Sequence, residues 1–172
     1  MKRVSAWIVA LAFVAAGCGS SSTSPSSSTA ANNPVFTATL LPSNEVPPIA
    51  NAEASGSGTV QITMSVTKDA SGNVTAANIT FNATLSGFPA GTTVTLGHIH
   101  KAPAGVSGAV VISANVTSTT LANGSGSLLL TNGSPDVAVV QDILNNPSQY
   151  YFNLHSTLNP GGFARGQLSR VQ

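Results

Sequence analysis

The sequence predicts an all-β sandwich carrying one short helix, and three observations predict it. Short β-branched segments with period-two alternation recur along the chain. Clusters of Gly, Pro, Asn and Asp separate them. A single segment, near residues 135–144, switches to helical spacing instead.

The elements follow in order. Residues 1–17 read as a secretory signal peptide: Lys2 and Arg3 lead, Trp7 to Ala16 form an uncharged apolar run, and Ala15-Ala16-Gly17 are small. The run is shorter than the ~20 residues a membrane-spanning helix needs. Cys18 follows directly, and this arrangement resembles a lipobox, with Ala15 where leucine is commoner. Cys18 is therefore expected to be acylated, and the chain to be exported and held extracytoplasmically on the bacterial cell envelope through its lipid. Residues 18–33 are nearly all Ser, Thr, Ala and Asn, a composition too poor in apolar surface to fold, and are expected to be a disordered tether.

The folded domain is expected over residues 34–172. Val35 to Leu41 is a β-rich opening strand, broken by Pro42 to Pro48. Thr59 to Val66 alternates strictly, with Val60, Ile62, Met64 and Val66 on one face. Lys68 to Asn73 is turn chemistry, so the strand from Val74 to Leu85 completes a hairpin. Further strands are predicted at Thr92 to His100, Ala109 to Ala114, Ser125 to Leu130, Tyr150 to His155 and Phe163 to Val171. Ser134, Pro135 and Asp136 supply a helix start; Val137, Val140, Ile143 and Leu144 recur at helical spacing; Asn145, Asn146 and Pro147 end it. The helix is expected to cover one open end of the sandwich.

Composition excludes several functions. Charged residues are 6% of the chain, and the region after residue 17 keeps four Lys and Arg against five Asp and Glu, a formal charge of −1. The four cations, Lys68, Lys101, Arg165 and Arg170, are scattered, so nucleic-acid binding lacks its electrostatic term. One cysteine excludes an internal disulfide and a zinc–thiolate site. There is no Gly-x-Ser-x-Gly elbow, no acid with an evident histidine partner and no paired carboxylates for glycosidic cleavage. No catalytic residue is assigned.

One constellation could carry chemistry. His98 and His100 lie two apart on a predicted strand, so their rings share a face ~7 Å apart while Ile99 points to the core. His155 ends a second predicted strand. If the two strands are neighbours, three imidazoles converge, a donor set that suits copper or zinc with an open position. The plainer reading of His-x-His is a hydrogen-bonding pair on a polar face. Glu45 and Arg165 stand out in so weakly charged a chain. They read as a structural ion pair across adjacent strand ends; the alternative has Arg165 facing the histidines and attracting an anion. The Gly- and Pro-rich segment 101–108 could form a wall of the site or a plain connection.

The phrases Asn44-Glu45-Val46-Pro47-Pro48, Gly97-His98-Ile99-His100, Tyr151-Phe152-Asn153-Leu154-His155 and Asn159-Pro160-Gly161-Gly162-Phe163-Ala164-Arg165-Gly166-Gln167-Leu168 occur in that order. Together they resemble the CHRD (chordin) domain family, in its bacterial lipoprotein form, over roughly Phe36 to Leu168. The resemblance implies an immunoglobulin-like Greek-key sandwich distantly similar to copper/zinc superoxide dismutases. By that likeness His98, His100 and His155 resemble copper ligands, and Arg165 loosely resembles the substrate-guiding arginine. No bridging histidine and no second-metal cluster exist here, so only a mononuclear site could form. Two functions are expected: a non-enzymatic binding or adhesion module for envelope or extracellular proteins, or a three-histidine copper-binding or redox protein.

Overall fold

A computed structural model describes residues 33–172. The signal segment, Cys18 and all of the tether but Asn33 lie outside the described residues.

Two antiparallel sheets face each other across one apolar core. The strands are β1 (Val35–Leu40), β2 (Ser57–Lys68), β3 (Val74–Ser86), β4 (Thr92–Lys101), β5 (Ala109–Ser113), β6 (Thr119–Leu121), β7 (Gly126–Asn132), β8 (Tyr150–Ser156), β9 (Ala164–Gln167) and β10 (Ser169–Arg170). One sheet runs β10-β1-β2-β3-β7; the other runs β5-β4-β8-β9, with β6 also paired to β4. The hairpin of β2 and β3 forms as its turn predicts: Asp69 accepts from the Ser71 and Asn73 amides, and Gly72 takes φ +86°. Alternation sets the buried faces. Val60, Ile62, Met64 and Val66 from β2 meet Ile79, Phe81, Ala83 and Leu85 from β3. Phe81 stacks on Phe152 of the opposite sheet at 5.4 Å. Aromatic pairs of this kind add about 1 kcal/mol beyond their buried area.

The all-β sandwich with one helix is as the pattern predicts, with local differences. Ten strands form where about eight are expected. The last expected strand divides at Leu168, which turns its side chain into the core and bonds its amide to Tyr150. The chain then leaves β8 and pairs with β1 as β10. The helix, α1 (Val137–Asn145), starts two residues later than expected. Asp136, not Ser134, is its N-cap, accepting from the Ala138 amide at 2.8 Å. Val140, Ile143 and Leu144 bury against the core, and Gln141 accepts from the Val74 amide at the head of β3. Asp142 binds both Lys101 and Tyr150, at the adjacent ends of β4 and β8. The helix thereby ties the two sheets together at one end.

β8 decides the site. All seven of its residues are buried, so neither face meets solvent. Tyr150, Phe152 and Leu154 enter the core; Tyr151, Asn153 and His155 point the other way. Loops cover that outer, polar face: one from Pro42 to Ser55, one from Ala102 to Gly108 and one from Thr157 to Phe163.

Candidate metal centre

The register of β4 against β8 brings the histidines together. His98 pairs with Asn153, His100 with Tyr151 and Leu96 with His155. Residues 98, 100 and 155 therefore share one face across two neighbouring strands, while Ile99 is wholly buried in the core. One ligand nitrogen from each of His98, His100 and His155 lies within 4.8 Å of the other two. The closest approach is His98 Nδ1 to His155 Nε2, 3.1 Å. Nitrogens bound near 2.0 Å to one tetrahedral ion sit roughly 3.3 Å apart, so small side-chain adjustments gather all three.

Backbone carbonyls fix two of the rings. His100 Nδ1 donates to the Gly108 carbonyl at 3.0 Å, and His155 Nδ1 donates to the Pro160 carbonyl at 2.9 Å. A carbonyl only accepts, so both rings carry their proton on Nδ1 and present Nε2 as a lone pair. His155 Nε2 then accepts from His98 Nδ1. His100 Nε2 is buried and has no hydrogen-bond partner among the described residues. An orphaned buried nitrogen costs free energy unless something ligates it. That cost, and the outer anchoring of both rings, are what a metal site requires. The residues present therefore fit a transition-metal ion.

Electrostatics favour the neutral form of His98 and His100. Burial, then the neighbouring His155 and His100 rings, hold His98 down to about 4. Burial is also the largest effect lowering His100, partly opposed by its bond to Gly108. Neutral imidazole is the ligating form.

The supports come from groups the sequence pattern does not flag. Gly108 serves twice, its carbonyl on His100 and its amide donating to the Tyr151 hydroxyl at 3.2 Å. Tyr151 lies flat on His100, ring centroids 4.8 Å apart. Glu53, 2% exposed, accepts from Ser156 and Asn159 and so anchors the loop that carries Pro160. Asn153 stands beside His98 and His155 with its Oδ1 buried and unpartnered. Its place two residues before His155, on the same strand face, is the signal that would have found it.

Glu45 and Arg165 come to this face but do not form the direct ion pair expected. Among the described residues the only salt bridge joins Lys101 and Asp142. Arg165 instead donates to the carbonyls of Asn44 (2.5 Å) and Val106 (3.2 Å) and lies over the Tyr151 ring at 4.5 Å. It pins two covering loops to β9. Its guanidinium thus ties protein segments together, and its charge also helps to lower His100. Glu45 is 7% exposed, and Oε1 has no hydrogen-bond partner among the described residues. Burial pushes its carboxyl up to about 7, against the opposing pull of Arg165. The segment 101–108 is a wall of the site, contributing Val106 and Gly108.

The family model of the CHRD domain matches residues 36–168. No curated protein and no solved structure matches the chain.

Proposed function

This chain belongs to the CHRD domain family, and we propose that it acts as an extracytoplasmic binding module whose ligand is a single transition-metal ion, copper by preference. The carrying observation is the convergence of His98, His100 and His155 nitrogens within 4.8 Å on a loop-covered face. Three imidazoles and no thiolate suit copper or zinc, and the affinity order among divalent ions places copper above zinc. When bound, copper offers a one-electron couple and an open position. The protein's own part is to hold His100 and His155 in one tautomer through Gly108 and Pro160, and to keep bulk water out with the covering loops. The adhesion reading expected from sequence uses the same sandwich, but no surface feature of the described residues favours it over metal binding.

Calorimetric titration of the purified protein with copper and zinc tests the reading. The expected result is one ion per chain, bound much more weakly in His98→Ala and in His155→Ala. Binding should persist at pH 6 and fall as the pH approaches 4, because His98 is protonated only near there. Absence of binding by copper, zinc or nickel at neutral pH would remove the proposal. We propose equally that lipid on Cys18 tethers the module to the envelope; the support is the sequence of residues 1–18. Mass spectrometry of the N-terminal peptide, in parent and Cys18→Ala, reads it directly.

A further inference from the structure

One cavity stands apart from the histidines. It measures about 370 Å³ and opens between two of the covering loops, at residues 43–48 and 104–105, over Arg165 to Gln167 of β9. Pockets for small organic molecules begin at roughly 300 Å³, so the volume suffices for one. None of His98, His100, His155 and Asn153 lines it.

Two residues of its lining are charged, Glu45 and Arg165, and they are opposite in sign. Both are more than nine-tenths buried, at 7% and 4% exposure, yet no salt bridge joins them. Arg165 uses two of its five N–H groups on the Asn44 and Val106 carbonyls. The other three have no hydrogen-bond partner among the described residues. Glu45 Oε1 has none either. The Arg165 charge acts on Glu45, where it opposes the effect of burial, and also on His100.

Buried charges cost stability unless a partner of opposite sign meets them. An anion alone would suit Arg165 and be repelled by ionised Glu45; a cation alone would meet the reverse. A molecule carrying both charges satisfies both residues. Val46, Pro48 and Ala104 give the same cavity apolar lining for an uncharged remainder.

We infer that this cavity binds a small zwitterion, a free α-amino acid with a compact apolar side chain, its carboxylate on Arg165 and its ammonium on Glu45. The inference does not rest on the metal-binding reading.

The test is calorimetric titration of the full chain, in metal-free buffer at pH 8, with three probes on one carbon skeleton. L-alanine carries both charges, propionate lacks the ammonium and ethylamine lacks the carboxylate. L-alanine should bind one per chain, about ten-fold or more tighter than either half, since each charge-assisted contact contributes at least that factor. Glu45→Gln should bring L-alanine down about ten-fold while propionate binds as well as before or better. A merely structural glutamate would weaken all three probes alike. The parent gives a second readout that needs no variant. Its affinity for L-alanine should rise about ten-fold from pH 6 to pH 8, as the Glu45 carboxyl, held up to about 7, ionises. That rise should vanish in Glu45→Gln. No binding of L-alanine in the millimolar range, L-alanine no tighter than its two halves, or a flat pH profile in the parent overturns the inference. Copper and zinc titrations at the histidines are separate measurements, so the metal reading stands or falls apart from this one.

Discussion

At the scale of single residues, the account depends on groups that orient imidazoles, and these divide by how they can be read. His98 and His100 announce themselves, since a spacing of two on a strand puts both on one face. His155 is legible only as a candidate, because its partnership needs the register of β4 with β8. Gly108 and Pro160 are not legible: they act through carbonyls, and a carbonyl's direction is not written in its residue type. Gly108 gives a sharp prediction. A Cβ there would stand 2.1 Å from the Lys101 carbonyl oxygen, so Gly108→Ala must move the segment that holds His100. Metal affinity should fall about 10- to 100-fold, as when outer supports of a metal ligand are lost, measured by competition with a chelator of known affinity. Glu45 gives another. Its carboxyl is raised from 4.5 to about 7 on folding, so the folded state binds the proton more tightly than the unfolded chain. Its share of stability is fully present below pH 4.5 and is lost as pH rises through 7. Glu45→Gln, which cannot ionise, should therefore gain stability on the parent at pH 8, and the gap should close below pH 4.5 in thermal melts.

At the scale of elements, periodicity carries most of the fold. The alternation of Val60, Ile62, Met64 and Val66 places β2 correctly, and the Asp69–Asn73 turn places its partner. β6 escapes because three residues, Thr119, Thr120 and Leu121, are too few to show a period; the Thr93–Thr120 hydroxyl contact and pairing with β4 define it. The burial of β8 on both faces is also hidden. Its polar residues read as solvent-facing until the loops that cover them are in place. The helix was legible in its apolar spacing but not in its cap, where Ser134 and Asp136 both qualify by type and only backbone geometry chooses. Asp136→Ala should cost about 1 kcal/mol in denaturant unfolding, and Ser134→Ala should cost less, since Asp136 is the residue bonded to Ala138.

At the scale of the whole molecule, the sandwich is a platform and the loops make the site. The core lies between the sheets, yet Tyr151, Asn153, His155 and Arg165 are buried on the outside of one sheet. Three covering loops achieve this, pinned by Arg165 to Asn44 and Val106 and by Glu53 to the 156–159 turn. So few charges on the chain make each buried one conspicuous, and both Glu45 and Arg165 belong to this face. The most direct measurement of the central claim is X-ray absorption at the copper edge on the one-to-one complex. Three imidazole nitrogens near 2.0 Å, falling to two in His155→Ala, are the predicted result. A shell with one or no imidazole, or one unchanged by that substitution, would contradict it.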